Sequence, residues 1–76
     1  MTMKQFIKHL ENLIGSVTFD YHGYSCGVDP INKNHYDVWC GDEIEIAKSI
    51  DDVLTIDIFE GKPLIDIFDE CVDFDY

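Results

Sequence analysis

The stretch "SVTFDYHGYSCGVDPINKNHYDVWC", residues 16–40, decides the fold of this chain because it contains the two clearest strand patterns. Apolar and polar residues alternate from 17 to 21, and they alternate again in "HYDVWC", residues 35–40. A period of two is typical of strands with one buried face. Between them, residues 23–34 contain two glycines, two asparagines and Asp29-Pro30, which predict a long loop. We therefore predict a β-hairpin.

A helix is predicted before the hairpin. Apolar residues recur at helical spacing in "TMKQFIKHLENLIG", residues 2–15: Phe6, Ile7, Leu10, Leu13 and Ile14. Thr2 suits the N-cap, and Gly15 suits the point where the helix stops.

Four patterns follow the hairpin. "EIEIAKSI", residues 43–50, predicts either more sheet or a connection, and the Ser49 to Asp52 spacing predicts a short capped turn. "VLTIDIF", 53–59, alternates and predicts a third strand. "PLIDIFDECV", 63–72, predicts a second helix, with its proline in the first turn.

The last residues, "VDFDY" at 72–76, predict a short edge strand or an ordered tail. The predicted fold class is α+β: one domain over residues 1–76, with an N-terminal helix, a three-stranded antiparallel meander and a C-terminal helix.

Composition limits the type of protein. With 46% hydrophobic residues among 76, the chain can form one small core. It has no apolar run of the roughly 20 residues that span a bilayer and no signal-peptide pattern, so we expect a cytoplasmic protein. Three cysteines are an odd number, which predicts reduced thiols, with Cys40 and Cys71 in core positions.

Charge is the exceptional feature of the sequence. Sixteen acids and five lysines give a net charge of −11, with no arginine. Residues 1–36 are neutral, so the whole excess lies in residues 37–76, which contain thirteen acids and two lysines. A requirement for solubility alone does not demand such segregation.

On the predicted elements the acids form rows. Asp66, Asp69, Glu70 and Asp73 are three or four residues apart and would share one face of the second helix. The candidate partner-binding residues are these four acids together with Glu43, Glu45, Asp51, Asp52, Asp57, Asp75, Phe74 and Tyr76. Phe68 and Trp39 are further candidate apolar anchors.

Such rows of carboxylates predict a surface that mimics the negative charge of a nucleic-acid backbone. They would occupy the basic groove of a DNA- or RNA-binding protein, where lysine and arginine pair with negative charge. In size and charge, although in no motif, the chain resembles the small acidic proteins with which phages and mobile elements block host defence. That resemblance implies an inhibitor of the anti-CRISPR or anti-restriction type.

Two alternatives are open. The acids could serve only to keep a small aromatic-rich domain in solution. The protein could also be a small structural or assembly accessory protein that self-associates through the edge strand "VDFDY". The sequence leaves monomer and homodimer equally open.

Catalytic and metal chemistry have weaker support. His22, Cys26, His35 and Cys40 flank the predicted loop and could in principle bind zinc, but they depart from the usual CxxC spacing. The chain has no phosphate loop and no GxSxG, HExxH or DxDxDG motif. We therefore expect a binding protein, not an enzyme, without a cofactor. The charge disfavours direct binding to nucleic acid or to a membrane.

Overall fold

The computed structural model describes residues 1–76 as a five-stranded antiparallel sheet with its helices on one face. The helices are α1 (Met3–Glu11), α2 (Ile50–Thr55) and α3 (Leu64–Ile67), and a 3₁₀ turn (Phe68–Glu70) follows α3. The strands are β1 (Val17–Tyr21), β2 (Tyr24–Asn32), β3 (His35–Cys40), β4 (Glu43–Ala47) and β5 (Val72–Asp75). The protein is thus α+β.

The first four strands follow one another across the sheet, and the chain then returns to the opposite edge. The spatial order is β4-β3-β2-β1-β5, so β4 and β5 are the two edges. A two-residue turn joins β1 to β2, with positive φ angles at His22 (48°) and Gly23 (83°). Positive φ at both central residues is the type I′ geometry, which matches the natural twist of a hairpin.

The predicted loop at 23–34 is wrong, because most of it is the central strand β2. Gly27 sits in this strand for a steric reason: a Cβ there would overlap the indole ring of Trp39 on β3. Pro30 lies beyond the last β1 partner of β2, Val28, and beside the irregular β2–β3 register. Proline is tolerated at such strand positions.

The predicted third strand at 53–59 is also wrong, and so is the three-stranded meander. Ser49 caps α2 by accepting a hydrogen bond from the backbone N–H of Asp52 (3.1 Å). Val53 and Leu54 are both buried, which a helix allows and a strand with alternating faces does not. The sheet continues instead through residues 43–47, one of the two predictions for that segment.

The first helix is confirmed, but its end is not where the sequence placed it. Thr2 and Gln5 form a reciprocal capping box. The helix ends at Glu11, before Gly15, and the left-handed residue beyond it is Leu13 (φ 51°). Ile14 therefore lies outside the helix and is 68% exposed.

The second predicted helix is much shorter than its pattern. Pro63 stands at the N-cap, α3 has four residues, and Phe68–Glu70 forms the 3₁₀ turn. Asp73 belongs to β5 and has a φ of 56°. The four acids predicted on one helical face therefore do not share one. The edge strand predicted at the C-terminus is confirmed.

One face of the sheet and the buried sides of the helices form a single core of nineteen residues. Phe19, Tyr21 and Phe59 pack at its centre, with Phe59 stacked on Phe19 at 6.0 Å between ring centroids. Cys40 and Cys71 are buried, as predicted. No helix is long and apolar enough to cross a membrane.

Candidate partner-binding surface

The face of the sheet that points away from the helices carries acids on four of its five strands. Residues paired across strands project on the same side, so the strand register defines this open sheet face. It comprises Thr18, Asp20, Ser25, Gly27, Asp29, Asp37, Trp39, Ile44, Ile46, Val72 and Asp75. All of these except Gly27 are at least partly exposed.

Two carboxylates on this face oppose each other directly. Asp29 on β2 and Asp37 on β3 are cross-strand partners. Asp37 contacts His35 (2.8 Å), and Asp29 accepts a hydrogen bond from the Ser16 hydroxyl (3.1 Å). Like charges in directly opposed positions destabilise a sheet. No lysine forms an ion pair with either carboxylate.

A second group of acids surrounds the β1–β2 turn. The two ring nitrogens of His22 lie 2.5 Å from Glu60 and 2.8 Å from Glu70. Hydrogen bonds to Glu70 and then to Glu60 raise the pKa of His22 above its ordinary value. Because both partners accept, the doubly protonated imidazolium satisfies both contacts. His22 thus joins the hairpin to two segments of the helical layer.

Glu60 reaches His22 because of a tight turn anchored in the core. Phe59 and Lys62 exchange two backbone hydrogen bonds of 3.1 Å. The central residues of the turn, Glu60 (φ 56°) and Gly61 (φ 78°), again adopt left-handed conformations. The side chain of Phe59 is fully buried, so the core fixes where the Glu60 carboxylate points.

Beside this group is a shallow cleft of about 230 Å³ with a charged rim. It is lined by Tyr24, Cys40, Asp42, Glu43, Ile58 and Glu60. The Tyr24 side chain is 45% exposed there. An aromatic wall with three carboxylates is suited to a lysine or arginine side chain of another molecule.

The acids predicted from the sequence are brought together only in part. Glu43 and Glu45 alternate on β4 as expected, and Glu70 joins His22 and Glu60. Asp51 and Asp52 occupy the first turn of α2, where Asp52 accepts from the Lys48 backbone N–H and so has a local structural role. The remaining ones, Asp57 and Asp66, are exposed on the helical layer.

The C-terminal candidates line a different groove. A hollow of about 690 Å³ between the N-terminus and β5 includes Asp69, Asp73, Phe74 and Tyr76 in its lining. Phe74 is partly buried, 5.3 Å from Phe19 between ring centroids, so it also completes the core. Tyr76 is 63% exposed, whereas Phe68, another predicted aromatic anchor, is buried in the core.

The four weak zinc candidates do not converge. Cys26 and Cys40 are neighbours in the core, with their sulfurs 3.1 Å apart. His22 lies in the β1–β2 turn and His35 lies at the opposite end of β2, roughly 26 Å away along the strand. No cluster of three or more His, Cys, Asp or Glu side chains has an arrangement that could hold a metal ion.

The thiols of Cys26 and Cys71 are protonated near neutral pH. Burial raises the pKa of the Cys71 thiol to about 12. Burial, followed by the hydrogen bond with Cys40, also raises the pKa of Cys26. Because the thiolate is the reactive form, neither Cys26 nor Cys71 is set up as a nucleophile.

The carboxylates have no lysine partner within the chain. All three ion pairs involve histidine (His22 with Glu60 and Glu70, and His35 with Asp37), and no lysine forms one. The sixteen acids therefore repel one another without compensation from the five lysines.

This repulsion predicts that salt stabilises the protein. Raising NaCl from about 20 mM to about 500 mM should increase the melting temperature, since the Debye length falls severalfold. The variant Asp29→Asn keeps a hydrogen-bond acceptor for the Ser16 hydroxyl and removes the charge repulsion between positions 29 and 37. It should add about 0.2–1 kcal/mol at low salt and reduce the gain from salt. Thermal denaturation of both proteins measures this, and equal salt gains would contradict it.

The sequence-based interpretation missed Asp20, Asp29, Asp37 and Glu60. Asp20 and Asp29 belong to the neutral half of the chain, and the fold places them beside strands from the acidic half. The alternation of residues 17–21 and 35–40 already assigned Asp20 and Asp37 to a polar strand face. Charge segregation along the chain therefore does not become segregation onto one face.

Similarity to known proteins is a separate line of evidence on what such a surface binds. Comparison of the chain with protein-family models, curated proteins and solved structures finds no match.

Proposed function

We propose that this protein binds a basic, nucleic-acid-binding protein and blocks its nucleic-acid site with carboxylates that take the place of phosphates. The observation that carries the proposal is the set of uncompensated acids: a net charge of −11 with no lysine–carboxylate ion pair. A surface of this kind costs stability by itself and recovers that free energy when a partner supplies the cations.

The spacing of the acids supports the same function. Carboxylates opposed across strands, such as Asp29 and Asp37, have Cβ atoms about 4.5–5.5 Å apart, and Glu43 and Glu45 repeat at about 6.6 Å. Charges a few ångströms apart offer a basic groove a density comparable to that of a polynucleotide strand. The class of partner includes the nucleases of host defence, which suits the small anti-CRISPR and anti-restriction inhibitors of phages.

Displacement of nucleic acid tests this function. The purified protein serves as bait in a bacterial lysate. Each captured protein is then purified and mixed with labelled duplex DNA or RNA to form a complex. Added wild-type protein should release the nucleic acid, and rising salt should weaken the release. Captured proteins that keep their nucleic acid at saturating concentrations of the acidic protein would contradict the proposal.

The matched variant reverses four exposed acids, Glu43→Lys, Glu45→Lys, Asp66→Lys and Asp69→Lys. None of the four makes a side-chain hydrogen bond in the structure, so the fold should remain. Glu70 and Asp73 are left unchanged because of the His22 contact and the positive φ. The variant should lose release, and Glu11→Lys on α1 should retain it. Circular dichroism checks the fold of each.

A second candidate function is self-assembly through β5. The observation that favours it is the free edge of this strand, where Val72 is 54% exposed beside the exposed Tyr76. Sedimentation over a range of concentrations would then report a dimer or a larger species. Val72→Lys should abolish that species without removing core contacts. A monomer at all concentrations would exclude this alternative.

A further inference from the structure

Of the two edge strands, β4 and β5, β4 has the more regular pairing with its neighbour. It pairs with β3 on one side only, and four of its five residues are exposed. The β3–β4 register is regular over five consecutive pairs, without a bulge. Edge strands are usually protected by bulges, proline or charged side chains. β4 has no bulge and no proline, and its charged residues are Glu43 and Glu45.

The two sides of β4 differ in chemistry. Ile44 and Ile46 are 71% and 57% exposed and lie on the open sheet face. Ile44 is opposite Trp39, whose indole ring lies over Gly27, so an isoleucine–tryptophan patch runs to the sheet edge. Glu43 and Glu45 project to the other side, and Asp42 and Glu43 line the charged cleft.

These charges disfavour a second copy of the chain as the occupant. Pairing of β4 with β4 would bring Glu43 and Glu45 of one copy against the same residues of the other, and like charges so opposed are destabilising. A strand that carries lysine or arginine on that side would instead gain an ion pair at each glutamate. Apolar residues on its other side would cover Ile44, Ile46 and Trp39.

We propose that β4 binds, by addition of a sixth strand, an extended segment of the partner in which lysine or arginine alternates with apolar residues. The proposal rests on the function proposed above for its choice of a basic partner. Main-chain hydrogen bonds along β4 supply affinity, and the alternation supplies specificity and register. The partner's nucleic-acid-binding surface then comes to lie beside the remaining acids.

A synthetic peptide with alternating lysine and valine is the probe, and Trp39, the single tryptophan, is the reporter. Binding should shift the tryptophan emission of the wild-type protein. A peptide of the same composition with its lysines in one block should bind about tenfold more weakly. An alternating peptide with N-methyl groups on the amides that face β4 should also bind about tenfold more weakly, since it keeps its charge but lacks the backbone N–H donors. Equal binding of all three peptides would overturn strand addition.

Two double variants with the same change in charge locate the site. Glu43→Lys/Glu45→Lys should weaken binding of the alternating peptide at least tenfold, and Asp66→Lys/Asp69→Lys on the helical layer should weaken it less than threefold. Equal losses would overturn the β4 site. If the first pair does not fold, Glu43→Gln/Glu45→Gln gives the same comparison against Asp66→Asn/Asp69→Asn.

The displacement assay separates the two proposals. If wild type releases nucleic acid from a captured protein and the two double variants are equally impaired, the β4 site is wrong and the proposed function stands. If wild type releases none, the proposed function fails, whatever the peptide does. Release that depends on Glu43 and Glu45 far more than on Asp66 and Asp69 supports both.

Discussion

Replacing Phe59 with alanine is expected to lower the free energy of unfolding by about 3–5 kcal/mol. The side chain is fully buried, with its ring centroid 6.0 Å from that of Phe19 and 6.2 Å from that of Tyr21. A chain of 76 residues has a total stability of roughly 4–11 kcal/mol. The loss therefore removes from about a quarter to all of that stability.

The effect should extend from the core to the acidic surface. Phe59 anchors the turn that places Glu60 against His22. When the ring is removed, the turn loses a buried attachment to the aromatic cluster, and the His22–Glu60 contact should weaken with it. The geometry of the acidic group around the β1–β2 turn thus depends on Phe59, a core residue outside that group.

Urea denaturation of wild type and Phe59→Ala measures the cost, and the melting temperature should fall by at least about 12 °C. Phe59→Leu keeps most of the apolar volume and should cost less than half as much. Ile14→Ala is the exposed control and should change stability by no more than about 0.5 kcal/mol. A Phe59→Ala loss as small as that of Ile14→Ala would contradict the role given to the ring.

The errors in the predicted fold have two physical causes. β2 resembles a loop because it contains Gly27, Pro30 and several small polar residues. Gly27 has a tertiary reason, since the Trp39 ring of β3 lies over it, and Pro30 lies beside the irregular β2–β3 register. No local pattern contains that information.

The second cause is competition between two local signals. Residues 53–59 alternate like a strand, but the cap at Ser49 and its bond from Asp52 start a helix that runs to Thr55. The core then takes Val53 with Leu54, and Ile58 with Phe59, as adjacent pairs. By contrast, β1 and β3 had a clear period of two, and α1 had both helical periodicity and an N-cap signal, so these three elements were predicted, although α1 ends before Gly15.

The negative charge of the candidate surface could be predicted from the sequence, but the positions of its carboxylates relative to one another could not. Net charge and the excess in residues 37–76 follow from the sequence, whereas the neighbours of each carboxylate depend on strand order. Glu60 and Glu70 are ten residues apart and meet at His22, which is a further 38 residues from Glu60. Only the fold brings these three together.

His22→Asn is expected to remove a component of stability that depends on pH. The raised pKa of His22 means that the folded protein holds the proton more tightly than the unfolded chain, whose histidine has the ordinary pKa of 6.5. The stabilisation is therefore fully present well below pH 6.5 and is lost as pH rises through the folded pKa. The physical cause is that both ring nitrogens face carboxylates. Deprotonation of the ring leaves one of the two carboxylates without a hydrogen-bond donor.

Asparagine is the informative substitution because it tolerates the positive φ of position 22 and favours a type I′ turn. It is too short to contact Glu60 and Glu70 together. We expect wild type to melt at a higher temperature than His22→Asn near pH 6, with the gap closing toward pH 9 at constant ionic strength. NMR titration of the His22 ring should give a midpoint above 6.5. The imidazole is charged near pH 6 and neutral near pH 9, so a contribution from its charge must change between these two pH values. A difference in melting temperature that is the same at every pH would therefore show that the ring acts through packing on Tyr21 and not through its charge.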